Sequence, residues 1–185
     1  MFLFLSGHAT LYAYLTPFLK TTMGISATMV SVVYFIYGIA AISGGGIGGS
    51  LSDRFGPRPV MLTVTSIFAL SMLVIPYTTF AFPFFLVVMI IWGMMSWSIT
   101  PAMQSYLIES APETAAIQQS LSNSALHFGI AFGSFVGGIV INQASVVHNA
   151  TFGGLFVTLA LGAAIFSITR DRNRVFTPSK PNGRS

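Results

Sequence analysis

The sequence predicts an all-α membrane protein of six transmembrane helices, and three observations carry that prediction. Of its 185 residues, 54% are hydrophobic and only 6% charged, with a mean hydropathy of +0.79, whereas roughly a quarter of the residues of a soluble domain are charged. Apolar runs close to the roughly 20 residues that cross a hydrocarbon core recur at 1–19, 29–50, 59–77, 83–107, 117–141 and 151–169. The eight Lys and Arg and four Asp and Glu fall in the segments between these runs and in a basic tail at 170–185. The absence of cysteine excludes disulfides, thiolate metal sites and cysteine nucleophiles. No cofactor is expected.

The first run begins at Met1 with no positive leading segment and no small-residue cleavage site, so it reads as a span and not as a signal peptide. A chain that opens directly on a span reads as the middle of something larger. Six crossings put both termini on one side of a plasma membrane. If that side is cytoplasmic it receives Arg54, Arg58 and the basic tail, against Lys20 alone on the other, which is the expected bias. The pI of about 9.8 therefore does not call for nucleic acid, because Arg170, Arg172, Arg174 and Lys180 crowd just after the last apolar run. The expected partners are the lipid bilayer and a small-molecule solute.

Between the second and third runs lies GGGIGGSLSDRFGPR, Gly44 to Arg58. Gly56 permits a positive φ, Pro57 stops a helix from passing through, and Pro59 suits a first helical turn. Asp53, Arg54 and Arg58 thus sit in a tight turn at a membrane surface. The plain alternative is a turn whose arginines only fix topology.

Taken as two triplets, the six helices carry a weak inverted repeat. The first of each triplet is expected to end in a Thr-Pro step, Thr16-Pro17 and Thr100-Pro101, and the second in glycines. Interruptions at matching positions are the sequence trace of an inverted-repeat transporter.

In the fifth helix Gly129, Gly133 and Gly137, with Gly138 beside them, form a small-residue stripe that lets another backbone approach. This stripe is also what generic helix packing requires. His127 lies about 160° from Gly129 at 100° per residue, on a face shared with Ser120, Ser124 and Ser134. In the fourth helix Ser96, Trp97, Thr100 and Gln104 share a face. The first brings His8, Tyr12 and Thr16 to one stripe, and the second offers Tyr34 and Tyr37. Polar stripes at membrane depth need protein or water partners, so a cavity is their expected destination. His8, Tyr12, Tyr34, Trp97, Gln104 and His127 are the candidate substrate-lining residues, an aromatic and hydrogen-bonding set that suits a flat, neutral solute. Tyr14 and Trp92 lie off these stripes and read as lipid-facing filler. His8 and His127 are the ionisable side chains placed within the membrane, where such a group points to function by default, although a hydrogen-bonded structural histidine is an equal reading. With no buried carboxylate in any span, a proton carrier is expected outside this chain. No HExxH pair, serine-histidine arrangement or paired acids suggests an enzyme.

Gly49-Ser-Leu-Ser-Asp53-Arg54-Phe-Gly56-Pro-Arg58 resembles the loop motif of the major facilitator superfamily, with Pro59 where a second terminal base often stands. The resemblance implies that Asp53, Arg54 and Arg58 form a charge latch between the two halves of a transporter. Gly129-IAF-Gly133-Ser134-FV-Gly137-Gly138 is similar to the antiporter motif of the drug:proton family (DHA1), with Ser134 where a proline is typical of the N-terminal half. GHATLYAYLTPFL, IIWGMMSWS, PAMQSYLIESAPE and IQQSLSNSALHFGIAFGS look like the C-terminal half of bacterial purine efflux pumps. The resemblance implies one half of a major facilitator fold, built from two inverted three-helix repeats and partnered by an N-terminal six-helix half. It also implies proton-coupled export of purine bases, nucleosides or analogues. Drugs or sugars remain alternatives, as does a truncated membrane protein that only binds a partner.

Overall fold

The computed structural model describes residues 1–175, with side chains described through Thr169. Every regular element in this range is helical. The helices are α1 (Phe2–Tyr12), α2 (Leu15–Met23), α3 (Ala27–Phe55), α4 (Pro57–Val74), α5 (Phe82–Ser110), α6 (Ala115–Gln143) and α7 (His148–Val175). Short 3₁₀ turns at Ile75–Thr78 and Pro112–Thr114 extend α4 and lead into α6. Five segments are long and apolar enough to cross a membrane: Ala27–Phe55, Pro57–Thr78, Phe82–Ser110, Pro112–Gln143 and His148–Thr169.

The first apolar run differs from the expected single helix. It divides at Ala13–Tyr14 into helices of 11 and 9 residues, each too short to span alone. Pro17 is the cause, since it has no N–H to offer the Ala13 carbonyl. The Tyr14 N–H turns instead to Leu11 O at 3.0 Å, a tighter 3₁₀-type bond. Gly24, at φ 61°, then ends α2 in the left-handed conformation common at helix C-termini.

The glycines and prolines expected to end helices lie inside them. α3 runs through Gly44, Gly45, Gly46, Gly48 and Gly49 to Phe55, and α5 runs through Pro101 to Ser110. In a bilayer a helix that stopped there would leave backbone groups without partners. The break falls at Gly56 (φ 83°, ψ 154°), with Pro57 at the first position of α4. At the other end of α3, Ser26 Oγ accepts the Met29 N–H at 3.3 Å, an N-cap. α7 stays helical through Val175, past the expected edge at 169, and the tail at 176–185 lies outside the described residues.

The packing has a crossed pattern. α3 packs on α5 and α1 on α6; α4 packs on α5 and α1 on α7; α4 and α7 pack on each other. Each first helix of a triplet thus meets the second and third helices of the other triplet. The core is built from residues of α1 to α5, around Phe4, Leu11, Phe18, Val33, Phe68, Phe85 and Trp92. Large apolar side chains such as Phe35, Ile42, Leu70, Phe128, Phe135 and Phe166 stay exposed on the outer faces, as a lipid-embedded surface requires.

Candidate solute-binding site

α1, α5 and α6 enclose a cavity of about 240 Å³. Its polar and aromatic lining comes from His8 and Tyr12 on α1, Ser96, Trp97 and Thr100 on α5, and Ser134 on α6. Ring packing fixes the wall. The His8 and Tyr12 rings stack with centroids 5.1 Å apart at 22°, and Trp92 lies 5.1 Å from His8 and 5.1 Å from Tyr37. Tyr37 and Tyr12 are 4.9 Å apart, and Tyr34 meets Tyr12 edge-on at 5.8 Å and 84°. Such offset and edge-to-face pairs contribute about 0.5–1.5 kcal/mol each beyond burial. The Tyr34 hydroxyl is tied to Thr16 Oγ1 at 3.2 Å across the α2–α3 gap.

Counting hydrogens gives the polar chain behind this wall a direction. Ser96 has one hydroxyl hydrogen and donates it to the Gly93 carbonyl at 2.7 Å. Its oxygen must then accept from the Tyr37 hydroxyl, 2.9 Å away. With that hydrogen committed, Tyr37 Oη can only accept from His8 Nε2–H, at 3.4 Å. A neutral His8 therefore carries its proton on Nε2, which leaves Nδ1 a bare acceptor. His8 Nδ1 and Trp92 Nε1 are both buried without a partner among the described residues.

The candidate residues divide. His8, Tyr12 and Trp97 meet at the cavity, and Tyr34 stands one ring behind it. Gln104 lines a second cavity of about 390 Å³, with Gln119, Ser120, Ser122 and Asn123, at the end of the bundle that carries Gly56. Thr100 borders both spaces. His127 is exposed on α6 and borders neither cavity. The α6 surface that reaches the first cavity is that of Leu126, Ile130 and Ser134.

Two residues read as lipid-facing filler are not so placed. Trp92 is fully buried at the centre of the aromatic cluster. It precedes Ser96 by four residues, one helical turn, and that spacing was the available signal. Tyr14 donates its hydroxyl to the Ser134 carbonyl at 2.8 Å, and its ring covers Gly137 and Gly138.

The glycines hold backbones close. A Cβ on Gly129, Gly133 or Gly137 would overlap the carbonyls of Phe2, Ser6 or Thr10 on α1, and one on Gly44 or Gly48 would overlap Met94 or Ser98 on α5. The Gly133 and Gly44 contacts each carry a hydroxyl. Thr10 Oγ1 lies 2.7 Å from Ser6 O and 3.2 Å from Gly133 O, and Ser98 Oγ lies 2.7 Å from Met94 O and 2.8 Å from Gly44 O.

At the α3–α4 turn Asp53 and Arg54 are exposed and Arg58 is half-buried. The Arg54 guanidinium lies 5.2 Å from the Phe55 ring centroid and that of Arg58 lies 5.7 Å from the Tyr106 ring of α5.

A family profile described as Major Facilitator Superfamily matches residues 1–185. Two uncharacterized MFS-type transporters of Bacillus subtilis are similar. YbcL is 28% identical over 89% of this chain and 42% of its own length, and YtbD is 29% identical over 87% and 41%. A probable sugar efflux transporter of Helicobacter pylori is 25% identical over 85% of this chain and 40% of its own length. The chain thus spans about two-fifths of the length of the relatives it matches.

Proposed function

The chain belongs to the major facilitator superfamily, and from that premise we propose that it is the six-helix C-terminal half of a twelve-helix exporter. On this reading α1 and α2 together make the sixth crossing, and the two triplets are inverted repeats. The crossed packing supports it, because exchange of the triplets maps α1 on α6 onto α5 on α3, and α1 on α7 onto α5 on α4. Both termini are cytoplasmic, in the plasma membrane. An N-terminal half supplies the facing cavity wall and the proton-coupling site. Asp53, Arg54 and Arg58 act as the latch between halves, and the halves rock about a midplane site.

The exported solutes are purine bases, nucleosides or analogues. The observation that carries this is the wall of His8, Tyr12, Tyr37 and Trp92 behind a cavity edged by Ser96, Trp97 and Thr100. Aromatic faces stack on a flat heterocycle, and a few hydroxyl and ring N–H groups orient its edge. Gln104 and the other amides of the second cavity, which shares Thr100 with the first, form the route to the Gly56 end on this reading.

A second reading, sugar export, draws on the printed name of the Helicobacter pylori relative and on the amide- and hydroxyl-rich second cavity. Proteoliposomes holding this chain together with an N-terminal half, loaded with labelled adenine or a labelled hexose, separate the two. Proton-driven adenine export supports the purine reading, and hexose export alone replaces it. Vesicles with this chain alone should move neither solute; adenine transport by them would overturn the half-transporter reading. Co-purification with an intact transporter at fixed ratio, without solute binding, would favour a non-transporting interaction partner instead.

A further inference from the structure

The break between α1 and α2 leaves one backbone oxygen without its helical partner. The Ala13 N–H still bonds Ala9 O at 3.2 Å, and the ladder of α2 opens with the Phe18 N–H on Tyr14 O at 3.0 Å. The oxygen between these bonds, that of Ala13, would take the N–H of residue 17 in a continuous helix. Pro17 has none to give. Among the described residues no backbone N–H donates to it.

Ala13 is exposed and lines the cavity of about 240 Å³, on the α1 face that also carries His8, Ala9 and Tyr12. Its backbone keeps the right-handed helical conformation (φ −61°, ψ −23°), so its carbonyl points onward along α1 into the step before α2. A carbonyl oxygen offers two lone pairs and no hydrogen. At membrane depth it needs a partner, and the cavity is where one can reach it. A flat solute lying against the Tyr12 ring brings its edge to the next residue of the chain, which is Ala13.

We propose that the Ala13 carbonyl recognises an N–H on the edge of the exported heterocycle, accepting it while the ring lies against Tyr12. This rests on the purine reading above. It makes Pro17 a positioning residue, because by lacking an N–H it keeps the oxygen free for solute.

Tyr14 is the only tyrosine in the chain that follows an alanine. Carbon-13 at alanine carbonyls with nitrogen-15 in tyrosine therefore marks the Ala13–Tyr14 peptide bond alone. In this chain, so labelled and assembled with an unlabelled N-terminal half, adenine should move the Ala13 carbonyl signal downfield, as a new hydrogen bond does. Pro17→Ala supplies the missing N–H, so the signal should lie downfield already and stay there when adenine is added. Adenine should bind this variant about three- to tenfold more weakly, the worth of one such bond. N6,N6-dimethyladenine and 9-methyladenine each lack the hydrogens of one edge. Whichever has lost the recognised N–H should bind wild type and Pro17→Ala equally. A carbonyl signal unmoved by bound adenine would overturn the proposal. So would equal weakening of adenine and both methylated bases in Pro17→Ala, which would make the proline a structural element alone. If the assembled wild type binds no adenine, the purine reading and this inference fall together; if it binds adenine and Pro17→Ala leaves the affinity unchanged, only this inference falls.

Discussion

The Ser98 hydroxyl on α5 sits 2.8 Å from the Gly44 carbonyl on α3, and Thr10 on α1 stands in the same relation to Gly133 on α6, at 3.2 Å. Both hydroxyls also bond one turn back within their own helix. Where lipid removes the hydrophobic drive between helices, close approach at small residues and interhelical hydrogen bonds hold a bundle together.

Ser98→Ala and Thr10→Val should therefore destabilise the chain similarly, by about 0.5–1.5 kcal/mol each, the usual net worth of such a bond. The two contacts join different helix pairs, so the double variant should lose close to the sum. Reversible unfolding in mixed micelles measures this. A cost for one variant and none for the other would show that the two seams are not energetically equivalent.

Glycines that look alike in sequence should separate sharply. Gly44→Ala and Gly133→Ala drive a methyl into the backbone of a facing helix. They should cost about 1–3 kcal/mol or more, the scale of overpacking. A Cβ on Gly38 or Gly45 meets nothing within 4 Å. Gly38→Ala and Gly45→Ala should be neutral or stabilise the isolated chain by up to about 1 kcal/mol through helix propensity. Thermal melts in detergent give the ranking, and equal effects at Gly44 and Gly45 would contradict the packing.

These seams also show what the sequence could and could not reveal. Apolar run length located the five long apolar helices α3 to α7, because bilayer thickness imposes that length on any backbone that must bond internally, but it did not show the break in the first run. The stripe of Gly129, Gly133 and Gly137 was legible as a close-packing face, but its partner was not. Nothing local to α6 says that Phe2, Ser6 and Thr10 lie opposite. The glycine run expected to end the second helix lies within α3, because the bilayer and the close α5 contact override the weak helix propensity of glycine. Likewise, helical spacing grouped His8 with Tyr12 correctly. It could not show that α6 turns Leu126 and Ile130 to the cavity and leaves His127 outside. Which stripe of a helix faces inward is decided by its neighbours.

The directed chain from His8 through Tyr37 and Ser96 to Gly93 makes a spectroscopic prediction. Nitrogen-15 NMR of histidine-labelled chain should show neutral His8 with its proton on Nε2 and a bare Nδ1. Tyr37→Phe removes the acceptor that selects this tautomer among the described residues, so the Nδ1–H form should become populated. Stability should fall by about 1–3 kcal/mol, because the His8 Nε2–H is then buried without a partner. An Nδ1–H tautomer in the wild type would mean that the chain runs the other way.

Solute binding should divide the candidate residues along the line the geometry draws. Stacking of a base on an aromatic ring contributes about 1–3 kcal/mol by alanine substitution. Tyr12→Ala and Trp97→Ala, which remove rings from the cavity edge, should thus weaken adenine binding about 5- to 150-fold by that estimate. His127→Ala, at an exposed position that lines neither cavity, should leave adenine affinity within about twofold, a difference below 0.5 kcal/mol. Gln104→Ala should slow exchange more than it weakens affinity, since Gln104 lines the second cavity, which borders Thr100, and not the aromatic one. Equilibrium binding and release kinetics of labelled adenine, with the chain assembled with an N-terminal half, distinguish these effects. If His127→Ala weakens binding as strongly as Tyr12→Ala, the solute lies against the outer face of α6 and the aromatic cavity is not its seat.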